Sequence, residues 1–128
     1  MQQPYLEIRK TARMGKGVYT TEAIDAGTVL EISPVIVLPP KDRPIIDQTL
    51  LHDYIFEWNP EEKTSAMALG YVPVYNHSYT SNCEYEMNYD DETITIKAIR
   101  FIKAGEELFI NYNGDWNDKK PVWFNVQR

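Results

Sequence analysis

Residues 76–83 read NHSYTSNC: a histidine, two serines, two asparagines and a cysteine within eight positions. Such a cluster suits a metal site, a nucleophile, or a polar knot that shapes a pocket. The rest of the chain narrows the choice. It holds one cysteine, Cys83, and two histidines, His52 and His77, fewer than the roughly four Cys or His ligands a structural zinc site takes. No Gly-x-Ser-x-Gly elbow accompanies the serines, which disfavours a hydrolase nucleophile. A single cysteine also leaves no intrachain disulfide, in keeping with a reducing compartment.

Working outward, AMALGYVPVY (66–75) is a short apolar piece that leads into the cluster. Beyond it, CEYEMNY (83–89) and TITIKAI (93–99) alternate on either side of Asp90-Asp91-Glu92, the pattern of a β-hairpin. IKAGEEL turns at Gly105, and ELFINY (107–112) reads as one more strand. Toward the N-terminus, YLEIRK (5–10) and VYTTEAI (18–24) read as strands around the glycine-bearing loop TARMGKG (11–17). TVLEISPVIVL (28–38) is extended and β-branched, with Pro34 as an interruption or an edge. After the loop PPKDRP (39–44) the period changes. Asp47 is a candidate N-cap, and Leu50, Leu51, Tyr54, Ile55 and Trp58 form a stripe at helical spacing that ends at Asn59-Pro60. Many short strands, one helix and no regular β-α alternation predict a mostly-β domain with one helical insert.

At 128 residues the chain has room for one domain with a core of its own. No apolar run approaches the roughly 20 residues of a membrane span, and the N-terminal stretch lacks the apolar core of a secretory signal. The expectation is an intracellular protein, cytoplasmic or nuclear, away from membranes. A net charge of −6 and a pI near 4.9 argue against direct nucleic-acid binding. They suit a basic substrate or partner, although mild acidity also serves solubility alone.

Taken singly, three features have ordinary structural readings: Gly15-Lys16-Gly17 as a tight turn, Asn76-His77-Ser78 as mutually bonded loop groups, and Glu107 to Tyr112 as an amphipathic strand. In this order along one chain they resemble the SET domain, the fold of protein-lysine methyltransferases. GKGVYTTEAIDAGTVL (15–30) resembles the family's opening Gly-x-Gly motif, strand and turn; ALGYVPVYNHSYTSNC (68–83) its Asn-His-Ser motif with a downstream Asn-Cys; and AIRFIKAGEELFINY (98–112) its last strand, ending in the catalytic tyrosine. The resemblance implies a single SET domain over 1–128, with a core at about 5–112, a variable insert at about 40–65 and a closing tail at 113–128. The implied fold is β-clip-like with a C-terminal pseudo-knot, in which the last strand and tail thread by a loop, an exception to the usual unknotted connections.

The activity so implied is methyl transfer from S-adenosyl-L-methionine to a lysine amine of a histone or other basic protein or peptide, with S-adenosyl-L-homocysteine as product. In that frame Asn76 lies near the cofactor amine and the His77 backbone near its adenine, while Ser78 and Asn82 brace the loop and Cys83 is a small buried filler. Gly15, Lys16 and Gly17 permit a close main-chain approach to the methionine end, and Tyr19 continues that wall. Glu107 fixes the knot. Tyr112 is the implied catalytic tyrosine. A lysine amine with a pKa of about 10.4 has to lose its proton to react, and an aromatic, apolar channel favours the neutral form. Tyr85 is the first candidate for that channel, followed by Tyr54, Tyr71 and Trp58.

The chain departs from many SET proteins in having no cysteine after Cys83, so a Cys-rich zinc segment is not expected to close the site. The tail, with Trp116, Trp123 and Phe124, is expected to do so, with Trp123 or Phe124 against the adenine. Two other functions compete: a catalytically silent interaction module, which the intact Asn76, His77 and Tyr112 speak against, and an assembly protein that homodimerises through its aromatic tail.

Overall fold

Alternating apolar and polar residues become two small sheets in the computed structural model, which describes residues 1–112. The segment 113–128 lies outside the described residues, and with it the expected contact of Trp123 or Phe124 with an adenine. In chain order the strands are β1 (Leu6–Lys10), β2 (Lys16–Thr20), β3 (Val29–Leu38), β4 (Phe56–Glu57), β5 (Ser65–Ala68), β6 (Asn76–His77), β7 (Cys83–Asn88), β8 (Thr93–Ala98) and β9 (Glu107–Ile110). One sheet has the order β1-β2-β9-β6, the other β4-β5-β3-β8-β7.

The hairpin expected around residues 90–92 is present as β7 and β8, paired from Cys83↔Ala98 to Asn88↔Thr93. Every second residue of β8 is buried, which places Ile94 and Ile96 in the core with Val18, Leu30, Ile102, Leu108 and Ile110. Burial of each such aliphatic side chain stabilises the fold by about 1.5–3 kcal/mol before entropy is counted. β3 runs through Pro34 as one strand of ten residues. Its first half pairs with β8 as far as Pro34, and its second half pairs with β5 from Val35 onward. The proline, which has no N–H to give a ladder, therefore stands where the strand changes partner. A bulge between Val29 and Glu31 lets both Leu30 and Glu31 turn inward.

The helical stripe expected from Asp47 is not one α-helix. The insert folds as a single α-turn, Arg43–Ile46, a 3-10 turn, Leu50–Tyr54, and strand β4. Local side-chain bonds compete with helix propagation here. Asp47 closes the first turn rather than capping a second, and its carboxylate binds Arg43 Nε at 2.7 Å and His52 Nδ1 at 2.8 Å. Thr49 is the cap of the second turn and accepts from the Leu51 N–H. Of the stripe, Ile55 and Trp58 are buried, whereas Leu50, Leu51 and Tyr54 are exposed. Trp58 belongs to the core and packs edge-on against Tyr89.

The feature that positions the site is the grip of residues 76–82 on β9. β6 pairs with β9 in parallel, Asn76 opposite Phe109 and His77 opposite Ile110, and the Ser78 N–H continues to the Ile110 carbonyl. Asn82 then reaches back: its Oδ1 accepts from the Phe109 N–H at 2.8 Å and its Nδ2 donates to the Glu107 carbonyl at 2.9 Å. A side-chain amide thus satisfies backbone groups that a longer strand would otherwise pair. Arg100 holds the intervening loop through the carbonyls of Thr80 and Ser81.

Candidate active site

Glu107 opens β9 at the point where three segments converge. Its Oε2 accepts from Asn76 Nδ2 at 2.7 Å, and its Oε1 faces the Tyr19 hydroxyl at 3.3 Å. The Asn76 amide also donates to the Lys16 carbonyl at 3.1 Å. Gly17 lies against this pair so closely that a Cβ there would collide with Glu107 Oε2 and stand 2.9 Å from Asn76 Nδ2. The Gly15-Lys16-Gly17 loop, β6 and the start of β9 are therefore one hydrogen-bonded unit.

Beside this unit opens a cleft of about 610 Å³, lined by Arg13, Met14, Gly15, Lys16, Asp53, Tyr54, Pro73, Val74, Asn76 and Tyr112. Gly15 has φ +70 and nothing within 4 Å of where its Cβ would be. Its main chain is thus open to a ligand in a conformation other residues adopt reluctantly. Arg13 and Lys16 bring positive charge, the insert brings Asp53 and Tyr54, and Tyr112 brings a phenol.

Tyr112 is fixed at both ends. Its N–H donates to His77 Nδ1 at 2.9 Å, so the ring proton of His77 belongs on Nε2. Its hydroxyl donates to the Tyr75 carbonyl at 2.6 Å. Burial pushes the Tyr112 phenol well above its ordinary pKa, helped by the phenols of Tyr54 and Tyr85 and by the carboxylates of Glu107 and Asp53. The group therefore stays a neutral donor at physiological pH. The Tyr85 hydroxyl donates to the Tyr112 carbonyl at 3.3 Å, and its ring packs edge-on against Phe56.

Of the residues singled out in the sequence, Gly15, Lys16, Tyr54, Asn76 and Tyr112 line the cleft. Gly17 and His77 lie directly behind it, and Tyr85 joins it through Tyr112. Tyr19 faces Glu107 and carries the Arg9 guanidinium over its ring. Tyr71 packs against the core, with its N–H on Glu31. Neither of these two lines the cleft. Arg13, Met14, Asp53, Pro73 and Val74 were not among the candidates. Arg13 and Met14 directly precede Gly15, and Asp53 directly precedes Tyr54, so each stands one or two positions from a residue that was. Among the described residues no three His, Cys, Asp or Glu side chains gather as a metal site, and no helix is long and apolar enough to cross a membrane.

Comparison with known proteins identifies the family and the fold. The SET domain family model matches residues 15–113. A curated protein of Schizosaccharomyces pombe, named histone-lysine N-methyltransferase, H3 lysine-37 specific, is 36% identical over 120 residues, 93% of this chain and 76% of the relative. A crystal structure of a Plasmodium falciparum protein superposes with a TM-score of 0.69 at 26% identity, over 89% of this chain and 97% of the other. An inhibitor-bound, humanized Polycomb Repressive Complex 2 of Chaetomium thermophilum superposes with a TM-score of 0.71 over 87% of this chain and 15% of the other; at 21% identity it attests the fold alone. With a family model over most of its length and a relative this similar, the chain belongs to the SET-domain family.

Proposed function

We propose that the chain is an S-adenosylmethionine-dependent protein-lysine N-methyltransferase, with the cleft beside Asn76 as the cofactor site and Tyr112 as the catalytic residue. The observation that carries the reading is the convergence of Gly15, Lys16, Asn76 and Tyr112, from three distant parts of the chain, on one cleft. The residues suit the cofactor. The open main chain at Gly15 and the cations of Arg13 and Lys16 match an amino-acid carboxylate, and Met14, Pro73 and Val74 match an apolar body.

When bound, S-adenosylmethionine supplies an electrophilic methyl group on a sulfonium. The protein contributes alignment and a suitable electrostatic setting. Tyr112 offers an uncharged hydroxyl held in place by Tyr75, while His77 fixes the backbone from which the phenol extends. Tyr85 reaches the Tyr112 carbonyl, Phe56 packs on the Tyr85 ring and Tyr54 lines the same cleft; in such aromatic surroundings an ammonium is disfavoured and the neutral amine of a substrate lysine is promoted. Asn76 and Glu107 hold the Lys16 main chain at the cofactor end.

The substrate in this reading is a basic, lysine-bearing protein such as a histone, which a chain of net charge −6 attracts. The relative's name points the same way, and the setting is cytoplasmic or nuclear. The test is transfer of labelled methyl from S-adenosylmethionine into a panel of histones and other basic proteins, with mass spectrometry on the product. Label on a lysine side chain supports the reading. A folded protein that binds cofactor yet labels nothing in the panel favours a catalytically silent module.

A further inference from the structure

Glu31 is a carboxyl group with no place in the site just described. It is the third residue of the largely apolar strand β3 and is fully buried. It accepts three hydrogen bonds: from the Tyr75 hydroxyl at 2.8 Å, the Ser33 hydroxyl at 2.6 Å and the Tyr71 N–H at 3.1 Å. Two of these donors belong to the turn that leads into Asn76-His77. Gly70 lets that turn close over the carboxyl. Its φ is +66, and a Cβ there would stand 2.6 Å from Glu31 Oε2 and collide with Ser33 Oγ. A buried carboxyl contributes less to stability than an apolar residue of its size, so its presence here calls for a role.

The role follows from where Tyr75 leads. Its side chain ends on Glu31 and its carbonyl receives the Tyr112 hydroxyl at 2.6 Å. Tyr75 is itself fully buried, and burial with the adjacent Glu31 keeps its phenol protonated and donating. We infer that Glu31 is a positioning residue for Tyr112: by anchoring Tyr75 it sets the carbonyl that orients the catalytic hydroxyl. The inference rests on Tyr112 being the catalytic residue. Reactions that depend on alignment are sensitive to displacements of about 1 Å, and nothing else bound to the Tyr75 side chain supplies the anchor among the described residues.

The experiment compares Glu31→Gln, Tyr75→Phe, the double variant and Tyr112→Phe. Circular dichroism establishes folding, calorimetry gives S-adenosylhomocysteine affinity, and kcat and KM are measured on the best substrate of the panel. Glu31→Gln keeps the shape but sets an amide N–H against donors. The expected result is a fall in kcat of about ten-fold or more, with KM and cofactor affinity within about three-fold of the parent. Adding Tyr75→Phe should lower kcat by less than about two-fold further, because both changes cut the same link. Parent-like kcat in Glu31→Gln overturns the inference. So do losses in kcat, KM and cofactor affinity that move together and add in the double variant, since a packing role gives that pattern. If Glu31→Gln does not fold, Tyr75→Phe alone decides, a selective fall in kcat supporting the link and parent kcat removing it. Full turnover in Tyr112→Phe would instead remove the reading on which the inference stands, whatever Glu31 does.

Discussion

The Tyr112 hydroxyl and the Tyr75 carbonyl meet at 2.6 Å, and the Tyr112 N–H lies 2.9 Å from His77 Nδ1. Both polar ends of Tyr112 therefore rest on residues 75–77. The strand that carries Asn76 and His77 and the phenol of Tyr112 are fixed to each other, so perturbing one should register at the other.

Asn76 is the first place to look for that coupling. Asn76→Ala removes the amide that holds Glu107 and the Lys16 carbonyl. Loss of a hydrogen bond to a charged group costs about 1.5–3 kcal/mol. The folded state should lose stability, and S-adenosylmethionine and S-adenosylhomocysteine should weaken together in calorimetry as the loop at Lys16 loses its support. Unchanged affinity for both, with the protein folded, places Asn76 outside the binding site.

Gly17→Ala tests the same unit from the other side. The new methyl would collide with Glu107 Oε2 and press on Asn76 Nδ2, and overpacking of this kind costs about 1–3 kcal/mol. A lowered urea midpoint together with weaker cofactor binding is expected. Gly15→Ala, which meets no atom within 4 Å, adds only backbone strain. Gly17 has no left-handed φ, so its loss should come from contact alone; parent-like stability and cofactor affinity in Gly17→Ala would contradict the predicted clash with Glu107.

The alkaline limb of stability should report Cys83. Burial pushes its thiol from 9.0 up to about 12, against a smaller opposing effect of Arg100. A raised folded pKa gives stability that is complete below the unfolded value and is lost as pH climbs toward the folded one. Between pH 9.0 and about 12 the parent should lose up to about 1.4 kcal/mol per pH unit from this group. Cys83→Ala lacks the group and should decline less steeply over the first unit, before tyrosines in the unfolded chain ionise. Parallel denaturation curves for the two proteins between pH 9.0 and 10.0 would contradict the assignment.

The parts of this fold that were legible are those where periodicity and burial coincide. The hairpin of β7 and β8 alternates residue by residue and folds as read. Three of the four segments that build the cleft were visible as motifs, because each resembles a known pattern with its residues in order. The insert was misread because a helical period alone cannot reveal that Thr49 and Asp47 bind their own neighbourhood and that Phe56-Glu57 pairs with β5. Glu31 carried no signal at all. A glutamate in an apolar strand reads as an outward residue until the bulge at Val29–Glu31 and a tyrosine 44 positions away are seen to enclose it. Arg13 and Asp53 were hidden for a similar reason, since a loop's side chains acquire a function only from what the fold sets opposite them.

The central claim is that methyl transfer depends on the Tyr112 hydroxyl, and single-turnover methyl transfer by Tyr112→Phe, set beside its affinity for S-adenosylhomocysteine, tests it most directly. The account predicts that transfer to lysine falls by about a hundred-fold or more, with affinity within a few-fold of the parent, because the hydroxyl acts chiefly in the transition state. Parent-like transfer in the folded variant would contradict it and move the catalytic group elsewhere in the cleft.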